Sequence, residues 1–168
     1  LEAIRFESLM DDLTTLATDK GQVPMNIGAL LTFAPVADPA EVVWRLAERL
    51  VTIPRFRQRL LRPGFGGGRP AWVEDGRFRL REHVSGADIP GPVARDTLLD
   101  HAAQMVCTRL PDHSPLWRLH WVDRMDQGGF AVIIVMHHVL ADGMGGLGVL
   151  AALADGVPAA EALPAAAA

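Results

Sequence analysis

The residues of this 168-residue chain best equipped for chemistry are two adjacent imidazoles followed by a carboxylate and a glycine: His137-His138-Val139-Leu140-Ala141-Asp142-Gly143. Three readings compete. As a general base, His138 would take a proton from a hydroxyl and return it to a thiolate leaving group, a task suited to an imidazole, whose unperturbed pKa lies close to neutrality. As a metal site, His137, His138 and Asp142 would share an ion. Adjacent side chains on extended backbone point to opposite sides, however, and neither an HExxH pattern nor a cysteine partner accompanies them, so no metal is expected. As structural residues, the rings would be hydrogen-bonded in the core, which is the reading taken for His137 alone and for His83, His101, His113 and His120. No Ser or Cys nucleophile motif is visible.

These residues need an element to deliver them. Residues 130–136 form the most apolar run, of buried-strand length, and the His pair follows it directly. The Asp126-Gln127-Gly128-Gly129 turn joins that run to a looser alternation over 116–122, which predicts a β-hairpin. Upstream, 27–33 reads as a short buried strand. Asp38-Pro39-Ala40-Glu41 starts a helix, with Asp38 as N-cap, Pro39 in the first turn and Glu41 as capping-box partner. Val43, Leu46, Ala47 and Leu50 continue it at helical spacing and it ends near Pro54. Residues 71–73 and 78–80 read as strand pieces around an Asp75-Gly76 turn. A second amphipathic helix is predicted over 94–107, with Leu98, Leu99, Ala102, Met105 and Val106 on its apolar face, and a third over 147–153 beyond Gly145, Gly146 and Gly148. Hairpins with covering helices suggest an α/β sandwich around a largely antiparallel or mixed sheet.

Composition narrows the function class. Apolar residues make up 49% of the chain and the net charge is −4, a globular balance. No run approaches the roughly 20 apolar residues of a spanning helix, and residues 1–21 carry too many charges for a signal peptide. Cys107, the only cysteine, reads as core, which leaves no internal disulfide and fits a reducing, cytoplasmic compartment. Ten of fifteen arginines fall between Arg45 and Arg81 against three acids, Glu48, Glu74 and Asp75. That excess suits phosphates, a phospholipid surface or a balanced solvated face. No nucleic-acid partner is expected from an acidic chain without aromatic-basic interleaving. Because residue 1 is not methionine and 156–168 is Pro/Ala-rich, the expectation is a domain over 1–155 followed by a linker, or the start of a crossover to a second domain, over 156–168.

The string His137-His138-x-x-x-Asp142-Gly143 resembles the HHxxxDG signature of the CoA-dependent acyltransferase superfamily. Further segments in order resemble its wax ester synthase/diacylglycerol acyltransferase branch: Pro24-Met25-Asn26-Ile27-Gly28, Ile53-Pro54-Arg55-Phe56-Arg57-Gln58-Arg59-Leu60, Pro70-Ala71-Trp72-Val73, Arg81-Glu82-His83-Val84 and Pro115-Leu116-Trp117. Met25-Asn26 departs from the usual Met-His. The likeness runs over roughly residues 20–155.

The resemblance implies a chloramphenicol-acetyltransferase-like two-layer α/β sandwich, with a mixed, mostly antiparallel sheet and covering helices. It implies an O-acyltransferase that moves a long acyl chain from acyl-CoA, a co-substrate, to diacylglycerol or a fatty alcohol, with no cofactor and no acyl-enzyme. His138 would be the base, His137 and Asp142 its support, with Asp142 paired to an arginine, and Gly143 would leave room beside it. Trp117 and Trp72 read as packing anchors, and Arg55, Arg57 and Arg59 as salt-bridging residues or CoA contacts. A C-terminal half of the same enzyme is expected to complete the tunnel, since no Asn-Asp motif of that half is seen. Peripheral contact with the inner membrane face or lipid droplets follows from the insoluble substrates. Within the superfamily, a condensation-type or polyketide-associated enzyme with a carrier-protein donor is the alternative, and a non-catalytic domain of the same fold is another.

Overall fold

The computed structural model describes residues 19, 21, 23–61, 70–142 and 153, with 141 and 142 as backbone only. Its main sheet has four strands: β1 (Asn26–Phe33), β4 (Val84–Gly86), β5 (Trp117–Val122) and β6 (Phe130–His137), in the order β1-β6-β5-β4. β6 pairs antiparallel with both β1 and β5, while β4 pairs parallel with β5. The fold is therefore α/β with a mixed, mostly antiparallel sheet, as expected. β2 (Gln58–Leu61) and β3 (Ala71–Glu74) form a separate two-stranded ribbon.

Both faces of β6 are covered, so all eight of its residues are buried. Alternation sends Phe130, Val132, Ile134 and Met136 to one side, where they meet helix α1 (Pro39–Leu50) and the ribbon. Ala131, Ile133 and Val135 meet helix α2 (Arg95–Cys107) on the other. Each fully buried Leu, Ile, Val or Phe contributes roughly 1.5–3 kcal/mol, so this strand is the principal anchor of the domain.

α1 forms for the reasons its sequence states. The Asp38 carboxylate accepts the Glu41 N–H (3.2 Å), Pro39 sits in the first turn, and Val43, Leu46, Ala47 and Leu50 bury one stripe. The Glu41 carboxylate turns to Arg45 rather than back to the cap. Pro54 cannot continue the helix and opens a short 3-10 turn, Pro54–Arg57.

The β5–β6 hairpin closes as its sequence requires. Gly128 and Gly129 have φ of +86° and +79°, and a Cβ on Gly129 would stand 2.0 Å from the Phe33 carbonyl oxygen. Only glycine lets the turn pass under the end of β1.

Four expectations are corrected. Residues 78–80 are not a strand: Phe78 N–H returns to the Asp75 carbonyl (2.9 Å), the Asp75 carboxylate takes the Arg77 N–H, and a 3-10 turn follows over Leu80–Glu82. β3 pairs instead with β2, which brings the buried Leu60 and Trp72 side by side. The strand at 27–33 exists but lies at the sheet edge, so its residues are mostly half-buried. On α2 only Leu98 is fully buried, while Leu99 is exposed (44%) and Cys107 is exposed, because the helix touches the sheet along a narrow line. That line is close: a Cβ on Gly28 would meet Val106 at 2.7 Å. Of the helix expected over 147–153, Leu153 is helical and buried and the rest lies outside the described residues.

Candidate active site

The His pair sits where β6 leaves the sheet. The His137 N–H donates to the Leu116 carbonyl (2.9 Å) and the His138 N–H to the Met25 carbonyl (2.7 Å), so the backbone is held from both flanks. His138 is half-buried in the turn between β6 and α3 (Val139–Asp142), and His137 is buried.

His137 has an assignable proton. Its Nε2 lies 3.1 Å from Asp19 Oδ2, and its Nδ1 lies 3.2 Å from the Val139 backbone nitrogen. The backbone N–H can only donate, so Nδ1 accepts and the ring proton is on Nε2, pointed at the carboxylate. Asp19 is buried (side chain 3% exposed). Burial alone would raise its pKa, but bonds from Arg109, His137 and the Met25 N–H outweigh this and hold it below its ordinary value. Arg109 grips the carboxylate with both terminal nitrogens (2.7 and 3.3 Å) and also donates to the Gly21 carbonyl. Met25 ties the His138 backbone to this centre, since its N–H reaches Asp19 and its carbonyl receives the His138 backbone N–H.

Asp19 and Arg109 were not anticipated as site residues. Asp19 lies 118 residues from His137, in a polar stretch before β1, and Arg109 follows α2. No periodicity marks either. Of the anticipated residues, His137 and His138 are brought together, Asp142 ends α3 with its side chain outside the described residues, and Gly143 lies outside them too.

The flanking motifs act as supports. Trp117 is fully buried, donates through Nε1 to the Phe56 carbonyl (2.9 Å) and stacks on His83 (4.6 Å between centroids), so it is a packing anchor. Its neighbour Leu116 offers the carbonyl that holds His137. Arg55 lies over the Trp72 ring (4.6 Å), and Arg57 donates to the Val51 carbonyl and approaches Glu74. Asn26 donates to the Val106 and Thr108 carbonyls and caps the end of α2.

Residues 10–168 match the wax ester synthase/diacylglycerol acyltransferase catalytic domain. The chain belongs to this family. Among curated relatives, a probable diacylglycerol O-acyltransferase of Mycobacterium tuberculosis, tgs1, is 36% identical over 155 residues, 87% of this chain and 33% of that protein. Another from the same organism, tgs2, is 34% identical over 140 residues, 80% of this chain and 31% of the relative. The solved wax ester synthase/diacylglycerol acyltransferase from Marinobacter aquaeolei VT8 superposes with TM-score 0.63 at 31% identity, covering 80% of this chain and 34% of that one. A condensation domain of the calcium-dependent antibiotic synthetase superposes with TM-score 0.61 at 15% identity, covering 84% of this chain and 33% of that one, a likeness of fold alone. The chain thus spans about a third of the length of its wax ester synthase/diacylglycerol acyltransferase relatives.

Proposed function

We propose that this chain is the His-bearing N-terminal part of an acyl-CoA-dependent O-acyltransferase that makes triacylglycerol or wax ester, with His138 as general base. The observation that carries the reading is the division of labour between the two rings. His137 has Nδ1 committed to the Val139 N–H and Nε2 to Asp19, so taking up a proton would break the Val139 contact. His138, half-buried in the turn that follows the fully buried strand, stands at the second histidine of the HHxxxDG signature, the position assigned here to the base. Membership of a family whose relatives are named diacylglycerol O-acyltransferases supplies the reaction class.

In this reading the hydroxyl of diacylglycerol or a fatty alcohol gives its proton to His138 as its oxygen attacks the thioester carbonyl. The tetrahedral intermediate expels the CoA thiolate, which takes the proton back from His138, so ester and free thiol form without an acyl-enzyme. The base contributes about 10²–10⁴-fold. Partners are acyl-CoA, the alcohol and the rest of a longer enzyme. The site is proposed to work in the cytoplasm, against a membrane or lipid-droplet surface where such acceptors reside. Among the described residues no helix is long and apolar enough to cross a membrane.

Donor choice tests the reading, because condensation domains share the fold. The full-length enzyme should esterify dioleoylglycerol or hexadecanol from palmitoyl-CoA. Ester formation only from a palmitoyl carrier protein would overturn the CoA assignment.

A further inference from the structure

α2 packs on β6 and β1, and a cavity of about 430 Å³ lies between it and β5. Arg118 and His120 stand two residues apart on β5, hence on one face, and look across at His101 of α2, while Arg109 stands at the same rim. Among the described residues no carboxylate lines the cavity; its apolar surface includes Met105 and Val135. The His120 Nδ1 and His101 Nε2 are 3.4 Å apart, and no third ligand-type side chain joins them to make a metal site among the described residues.

Arg118 is the unusual member. It is half-buried, and one terminal nitrogen already donates to the Trp117 carbonyl (2.9 Å) and lies 2.8 Å from His83 Nδ1. Among the described residues it forms no salt bridge; burial lowers its pKa from the ordinary value and the Glu82 charge only partly offsets this. The His pair beside it adds ring N–H donors. Two donor types converging from different directions suit the tetrahedral, multiply charged oxygens of phosphate better than the two coplanar oxygens of a carboxylate. The volume, within the range of small-molecule sites, exceeds that of a bare phosphate, which leaves the apolar wall for an organic substituent.

We propose that the α2–β5 groove binds the phosphate group of a phosphate ester, through Arg118 and His120 with His101 at the opposite wall. His138 is not among the residues that line this groove. The groove shares Arg109 with the Asp19–His137 centre, so an occupant would sit one side chain away from it. The inference does not depend on the proposed acyl transfer.

Calorimetric titration of the full-length protein with pyrophosphate, and separately with vesicles containing phosphatidic acid, tests the proposal and distinguishes a soluble ester from a lipid headgroup. His120→Gln and Arg118→Gln should each weaken whichever probe binds by about tenfold or more, as expected for a lost hydrogen bond to a charged group. Arg118 also holds His83 in place, so near-UV circular dichroism should confirm that its variant is folded. His120→Gln, at a half-buried position, and His101→Gln decide the matter if it is not. Pyrophosphate binding lost in the variants assigns a soluble phosphate ester, and vesicle binding lost in the variants assigns a lipid phosphate. Binding of neither probe, or binding that H120Q and H101Q leave unchanged, overturns the proposal.

Discussion

Asp19 and His137, 118 residues apart in sequence, meet in the interior at 3.1 Å, with Arg109 clamped on the same carboxylate. This contact ties the segment before β1 to the end of β6. Through Met25 it also fixes the backbone of the second histidine.

Asp19→Asn removes the charge to which Arg109 and His137 both donate. The variant is expected to lose about 1–3 kcal/mol of stability in urea denaturation, and turnover by the full-length enzyme should fall by roughly tenfold with KM little changed. Asp19 is held below its ordinary value of 3.8, so its contribution is complete above that pH and disappears as pH falls through the lower, folded value. Wild type should therefore show an acid-side loss of stability that Asp19→Asn lacks.

His83 predicts a second pH dependence, at higher pH. Burial lowers its pKa from the ordinary 6.5, opposed by the Trp117 carbonyl and reinforced by the Arg118 charge. The ring is neutral in the fold and binds its proton more readily when unfolded. Stability is thus fully present above about pH 6.5 and declines as pH drops toward the folded value. His83→Phe keeps the stack on Trp117 and should flatten that decline, measured by denaturation at about pH 7.5 and about pH 5.5.

Gly129→Ala combines a left-handed backbone with a Cβ 2.0 Å from the Phe33 carbonyl oxygen. It should cost at least roughly 2 kcal/mol, read as a lowered Tm. Gly76→Ala has nothing within 4 Å of its Cβ and serves as the near-neutral control.

Much of this architecture was legible because its signals are local. Asp38 and Pro39 start α1 by capping, Gly128-Gly129 make the hairpin, and the unbroken apolar run of β6 demands cover on both faces. What was not legible depends on partners. Whether residues 71–74 pair with 58–61 or 78–80 is settled by the Asp75 turn and the Leu60–Trp72 contact, which periodicity does not encode. Cys107 and Leu99 fit an apolar helix pattern, yet α2 meets the sheet too narrowly to bury them. His137 and His138 stand out by spacing, while Asp19 and Arg109 join them only through the fold, from flanking segments with no pattern of their own.

The central claim is that His138 carries the proton and His137 the scaffold. Steady-state kinetics of full-length His138→Ala with palmitoyl-CoA and a saturating alcohol tests it most directly, beside His137→Asn and with circular dichroism confirming that both variants are folded. The account predicts a kcat loss of about 10²–10⁴-fold for His138→Ala with KM values within a few-fold of wild type, and a smaller kcat loss accompanied by lower stability for His137→Asn. Wild-type turnover by a folded His138→Ala enzyme would contradict it.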